Sequence, residues 1–325
     1  MRDFADVEGS QILREEYDKG LEFLKGKNKD YKKATTCFRK AAVAGNPLAS
    51  YRFAICLSLG LGGKKPDDQR AIGWLLKAVD AEVAEAVREY ALCLINGFVV
   101  RQDTVKGLEY LNKAIELGSS QAKVDLADYY ISLNESGNTV DTDKVEELLS
   151  TALKEGNAKA ANLLGVINGK GMLGFTENAD KAFEYFKQAG ELGLDKAFFN
   201  VAYMLDEKYK ANPTEELVPQ IISYYEKAKS SGFLAAYQEL IFIYCDQIYG
   251  LCDNVKAKML FVFTVLSARK HLTFHRLLII LTKTMLWNTQ WLSLQLLQIP
   301  LQLNTSHLTV LVLLQKALWL KVKMF

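Results

Sequence analysis

Hydrophobic and polar positions in this chain follow a helical spacing, and one short pattern returns roughly every 37 residues. The first copy places Ala34, then Phe38 four positions on, then Ala41 three beyond that. The later copies read Ala71, Leu75 and Ala78; Gly107, Leu111 and Ala114; Val145, Leu149 and Ala152; Ala182, Phe186 and Ala189; and Ile221, Tyr225 and Ala228. Positions i, i+4 and i+7 share one face of a helix. A bulky side chain flanked by small ones fills a groove while letting a neighbouring helix come close. The pattern therefore predicts six buried helices of one kind.

The ends of these helices are also marked. Asp30, Asp67, Asp103, Asp141 and Asn178 stand four residues before the first small position, where a side-chain oxygen can accept from the free N–H groups of the first turn. The sixth copy has Leu217 there, between Pro213 and Pro219, which predicts a differently built entry. Gly45, Gly118, Gly156, Gly193 and Gly232 follow the last alanine and suit the left-handed backbone that closes a helix. The second copy departs, with Ala81 read at this point, and its turn is expected to be strained or differently shaped. A second helix then begins, anchored by Ala49, Ala122, Ala160, Ala197 and Ala236, with Ala86 taken as one residue late. It carries large-plus-small pairs such as Phe53-Ala54, Tyr90-Ala91 and Leu164-Gly165. Glycine-bearing loops, among them Gly60 to Gly63 and Gly169 to Gly171, lead back to the capped helix. Each unit is thus helix, short turn, helix, loop. A lone pair cannot cover its own apolar face, so copies must stack.

Composition changes the picture at one place. All 38 acidic residues lie at or before Asp253, with 31 of the 40 basic ones, so that part carries −7 and the remainder +9. No glycine follows Gly250, and His271, His275 and His307 all lie beyond it. From 271 to 325 the chain is leucine-rich, basic and aromatic, without a clean helical or strand period. It reads either as a membrane- or partner-facing segment, as a disordered tail, or as an out-of-frame rendering of further repeats, which the nucleotide sequence would decide. No run of 18 apolar residues is present. The N-terminal residues lack the apolar core of a secretory signal, so a cytoplasmic location with reduced thiols is expected. On that footing Asn134-Glu-Ser136 and Asn304-Thr-Ser306 are chance matches to the glycosylation pattern.

Little in the repeats suggests catalysis. A histidine-dependent triad confined to them is excluded, because they contain no histidine. Gly165-Val-Ile-Asn-Gly169-Lys-Gly171 lacks the spacing of a phosphate loop and would follow a helix, so it reads as a repeat loop. Cys56 and Cys93 occupy one repeat position and read as buried small thiols. Cys245 and Cys252, seven apart, offer a weak case for a bridge. Acidic pairs such as Glu15-Glu16 and Glu146-Glu147 suit a solvated helix face. Tyr129-Tyr130 and Tyr224-Tyr225 suit packing between helices.

The sequence resembles the Sel-one-like repeat (SLR) family, relatives of the tetratricopeptide (TPR) repeats. The resemblance is carried best by Ala160-Ala-Asn-Leu-Leu-Gly165 through Gly169-Lys-Gly171, and by Lys181-Ala-Phe-Glu-Tyr-Phe-Lys-Gln-Ala189 to Gly193. Lys33-Ala34 to Gly45, and Gln69-Arg-Ala-Ile-Gly-Trp74 to Ala78, carry it further. A step of 36 to 39 residues favours this family over the 34-residue TPR period. Coverage runs over residues 12–270, after a segment 1–11: six copies and a degraded seventh around Asp253, Ala257 and Phe261.

The resemblance implies an all-α, right-handed α/α superhelix, a solenoid of helix-turn-helix repeats. It implies a non-enzymatic scaffold or adaptor for protein–protein interaction; the alternative is a membrane-associated regulatory subunit of secretory quality-control or wall-synthesis machinery. A protein or peptide partner is expected, with no cofactor, metal, small-molecule substrate or nucleic acid, and with membrane contact confined to the tail. By analogy with TPR-like superhelices, the concave groove would present Tyr51, Glu85, Arg88, Gln121, Asp128, Lys159, Asn162, Lys196, Tyr203 and Gln238.

Overall fold

The computed structural model describes residues 14–25, 28–63 and 65–245; among these there are thirteen α-helices, one short 3-10 turn and no strand. The expected seventh copy, the tail 271–325, the segment 1–11, and the Cys245 and Cys252 side chains lie outside the described residues. The chain divides at residue 232 into two compact units. The first holds α1 (residues 14–22), α2 (Tyr31–Val43), α3 (Pro47–Ser58), α4 (Asp68–Asp80), α5 (Ala84–Asn96), α6 (Thr104–Glu116), α7 (Ser120–Glu135), α8 (Thr142–Lys154), α9 (Ala158–Lys170), α10 (Ala179–Glu191), α11 (Ala197–Ala211) and α12 (Leu217–Ser230). The described part of the second is α13 (Leu234–Cys245), with Ala236 and Leu240 buried.

The five predicted caps are all made. The side chains of Asp30, Asp67, Asp103, Asp141 and Asn178 accept from the backbone N–H groups of Lys33, Arg70, Lys106, Lys144 and Lys181 at 2.9–3.1 Å. Entry to α12 differs, as its sequence implies: Glu216 precedes it in a helical conformation and gives no side-chain cap. The helices after the short turns have caps of their own. Asn46, Ser119 and Asn157 accept from Ala49, Ala122 and Ala160, whereas α5 and α11 begin without one.

The short turns close on a left-handed residue, and here one reading needs correction. Gly45, Gly118, Gly156 and Gly193 have φ of +81 to +106°. In the second copy the equivalent residue is Glu82, with φ of +56°, while Ala81 keeps a negative φ of −90°. Ala86 therefore stands in normal register, four residues after Glu82, just as Ala49 follows Gly45. The expected strain is real, but a glutamate bears it. A residue with a Cβ loses about 1–2 kcal/mol in that conformation.

The three face residues of each capped helix are buried in every copy, with Gly107 standing in the first place of the third; Phe38, Leu111, Leu149 and Tyr225 are fully enclosed. Packing reveals how the helices pair. The most intimate neighbours are α3 with α4, α5 with α6, α9 with α10 and α11 with α12, the first three joined by the longer loop and the last by residues 212–216. Units of helix, short turn, helix are therefore half a unit out of step with this pairing.

Small residues at the crossings explain the closeness. A Cβ on Gly107 would lie 2.5 Å from Ile95 Cγ1 and 3.0 Å from the Ala91 carbonyl oxygen. One on Gly165 would meet the Phe186 ring at 2.7 Å, and one on Gly169 would meet the Ala182 Cβ at 3.2 Å. Backbones touch there, so a side chain has no room. The pair α7–α8 is the least intimate of these hairpins. At its equivalent crossing positions stand Ile131 and Val145, both buried and both β-branched.

Candidate protein-binding face

The residues expected to form a groove lie on the odd-numbered helices. Tyr51 is on α3, Glu85 and Arg88 on α5, Gln121 and Asp128 on α7, Lys159 and Asn162 on α9, and Tyr203 on α11, with Lys196 just before that helix. Gln238 is on α13, in the second unit. Within the first unit the register explains the sharing of a face: each residue sits one before, two after or six after its helix's alanine anchor, while the anchor itself is buried.

The structure ties several of them together through residues that the sequence reading passed over. Arg88 Nε donates to Asp125 Oδ2 on the next odd helix, and Arg88 also pairs with Glu89 at 2.6 Å. Gln121 donates to the other Asp125 oxygen at 2.9 Å. Asp125, rather than Asp128, is thus the carboxylate that orders this part of the face. One repeat further, Asn200 donates to Asn162 at 3.2 Å. Asp125 and Asn200 each sit three residues after their alanine anchors, one place beyond the register of Arg88 and Asn162, so the register alone points to Val124 and Phe199 instead. At the edge of the same layer, Asn157 donates to Ser120 at 3.2 Å, and Lys123 pairs with Glu155.

Electrostatics separates bound groups from free ones. Burial works against the Arg88 charge, but Asp125 and Glu89 outweigh it and raise the guanidinium pKa. The Tyr51 phenol is pushed up by burial and then by Glu89, with Arg52 and Arg88 opposing and Glu85 adding to the rise. Asp128 is raised by partial burial first, then by Asp125 and Glu135, with Lys159 opposing. Glu85, Lys159 and Lys196 are exposed, and Tyr203 keeps 51% of its surface in solvent. The face has an ordered polar spine with free charged and aromatic groups beside it.

Other candidates behave as structural residues. Cys37, Cys56 and Cys93 are free thiols. Tyr130 packs on the α7–α9 core, and Tyr225 is fully buried against Phe199, ring centroids 5.4 Å apart. The glycine run from 165 to 171 is the end of α9, with Gly171 as its left-handed cap.

Residues 16–46, 47–82, 84–119 and 158–194 match the family model described as the Sel1 repeat. These segments coincide with the pairs α1–α2, α3–α4, α5–α6 and α9–α10, the pairing seen in the packing. Hairpin α7–α8 falls between the matches. Chitin synthase regulatory factor 3 of Schizosaccharomyces pombe is 29% identical over 176 residues, 53% of this chain and 19% of that protein. Chitin synthase regulatory factor 2 of the same organism is 34% identical over 103 residues, 30% of this chain and 20% of that protein. The chain therefore spans about a fifth of the length of the curated relatives it matches. A crystal structure of a Sel1 repeat protein from Oxalobacter formigenes aligns with a TM-score of 0.60 at 22% identity, over 79% of this chain and 98% of that one. That likeness is one of fold.

Proposed function

We propose that this chain, which carries Sel1 repeats, is a non-enzymatic scaffold that binds a protein partner along the face of the odd-numbered helices of its first unit. The observation that carries the reading is the polar spine: Arg88 to Asp125 and Asn200 to Asn162 hold side chains of successive helices in place. Groups already ordered lose less freedom when a partner docks, which favours recognition. Within the first unit, α7 and α9 touch although α8 lies between them in sequence. Helices on the inner side of a curved stack are compressed in this way, which supports a concave position for the odd layer. Proteins of Sel1 repeats are in general non-catalytic scaffolds, and the absence of histidine before residue 271 agrees with that.

A second reading draws on the names of the relatives. As two of them are chitin synthase regulatory factors, the partner would be a wall-polysaccharide synthase, and the scaffold would act as its regulatory subunit. No helix among the described residues is long and apolar enough to cross a membrane, so attachment would come from the synthase or from residues beyond 245.

Affinity capture with the full chain tests both readings. The double substitution Lys159→Glu, Tyr203→Ala alters exposed groups and should abolish capture, while Glu184→Lys on α10 should leave it intact. The reverse result would overturn the groove. Arg88 is a poor probe, because reversing its charge would set three carboxylates against one another. Recovery of a membrane-bound glycan synthase would favour the second reading; its absence, with other partners retained, would favour the first.

A further inference from the structure

We propose that Asn96, the last residue of α5, is a site of spontaneous deamidation, a covalent change that the fold directs to this asparagine and withholds from Asn168. Two asparagines in the chain precede a glycine, in Asn96-Gly97 and Asn168-Gly169. Glycine carries no Cβ, so its backbone nitrogen can approach the preceding side chain without hindrance. In the reaction the Gly97 nitrogen gives its proton to water or hydroxide and attacks Asn96 Cγ. A new C–N bond forms, the Cγ–Nδ2 bond breaks, and ammonia leaves. Water then opens the cyclic imide at one carbonyl or the other, giving aspartate or isoaspartate. Nothing is oxidised or reduced, and water is the single co-reactant.

The two pairs stand in opposite surroundings. Asn168 is 5% exposed, its Nδ2 donates to the Leu164 carbonyl at 2.9 Å, and its own carbonyl accepts from the Asn178 N–H at 2.8 Å. Gly169 lies against Ala182 in the α9–α10 crossing, and the helix runs on through Lys170. Bringing the Gly169 nitrogen onto Asn168 Cγ would mean undoing that crossing. Asn96 is exposed, and α5 stops at it: Gly97 is left-handed, with φ of +67°. The Gly97 N–H is held by the Cys93 carbonyl, a bond of the last turn, where helices open first. Two residues on, Val99 has φ of +65°. A β-branched residue is strained there, so opening of this turn is favoured by the strain it relieves. Leu173 is left-handed beyond α9 too, but past the Gly171 cap.

The product alters the hairpin. Asn96 Nδ2 donates to the Leu92 carbonyl at 3.0 Å, which a carboxylate cannot do, and the new charge sits at the negative end of the α5 dipole. Isoaspartate also inserts a methylene into the main chain beside Ile95, whose carbonyl accepts from Gln102 at 2.8 Å. Ageing of one residue thus loosens the α5–α6 loop and leaves α9–α10 intact.

The test incubates the full chain in mildly alkaline buffer, folded and, in parallel, unfolded in urea. Trypsin then releases residues 89–101 and 160–170 as peptides that mass spectrometry can follow. In the folded chain the first peptide should gain the mass of an amide turned into a carboxyl and accept methyl groups from an isoaspartyl methyltransferase. The second should lag by about tenfold or more. In urea the two should convert at comparable rates, because the fold that separates them is gone. Asn96→Gln should leave the first peptide unchanged, since a longer side chain closes its ring far more slowly. Amide exchange should rise with age at the α5–α6 loop of the unsubstituted chain and stay constant in Asn96→Gln. Absence of conversion at Asn96 in the folded chain, conversion of Asn168 at the same rate, or the same lag persisting in urea would each overturn the proposal.

Discussion

Hairpins α7–α8 and α9–α10 are neighbours in one stack but hold together differently. In α9–α10 the crossing is made by Gly165, Gly169 and Ala182, and the Phe186 ring takes the space that a Cβ on Gly165 would need. In α7–α8 the same places are filled by Ala127, Ile131 and Val145, and the helices pack less intimately. α7 is instead fastened sideways: Arg88 on α5 reaches Asp125, Ser120 is bridged by Asn157, and Lys123 pairs with Glu155. One hairpin depends on shape within itself and the other on polar ties to its neighbours. The difference shows that a repeat can lose its tight crossing and remain in the array when its flanks are laced.

Six substitutions probe that contrast and its surroundings. Phe186→Ala should have the largest effect, a loss of about 3–5 kcal/mol, because the ring that covers Gly165 is removed from a crossing with little else to fill it. Gly107→Val should cost about 1–3 kcal/mol, since its side chain would press on the Ala91 carbonyl; Val145→Gly at the equivalent place should not rescue α7–α8. Denaturant unfolding measures both. Asn157→Ala should lose about 1 kcal/mol, and amide exchange should report it at α9 and at the start of α7 together. Glu82→Gly should gain about 1 kcal/mol by relieving the left-handed strain, although its exposed pair with Lys113 at 2.9 Å is given up. A smaller effect is expected at Asp128. Its folded pKa is raised, so its ionised form at neutral pH weakens the fold. Asp128→Asn should therefore raise the melting temperature slightly at pH 7, and the gain should vanish as pH falls through the carboxylate range and the native acid is protonated.

The helices were legible because caps, bulky face residues and closing glycines recur at fixed spacing, and each of these is a local interaction. Asp30 and Asn178 needed only their own first turn to be recognised. The pairing was less legible: the alternation of helices is the same whichever loop is taken as the boundary, and only the close approach at Gly107 and Gly169 decides it. At the second turn the pattern of small residues points to Ala81, one place early, whereas the backbone requires only the position that Glu82 holds. The candidate face was legible as far as register could carry it. Tyr51, Arg88 and Asn162 lie on odd-numbered helices, but that Arg88 reaches Asp125 depends on a distance between helices that the sequence does not contain.

The ladder of contacts between residues 88 and 125, and between 162 and 200, also bears on how such an array could be shortened. The period would permit excision of residues 120–157, bringing α9 up against α5 with the turns intact. Arg88 would then face Leu163 where Asp125 had stood, and Ser120 and Asn157 would depart together. The chain is modular in length but not in content: a truncated descendant would have to rewrite α5 before it could close the gap.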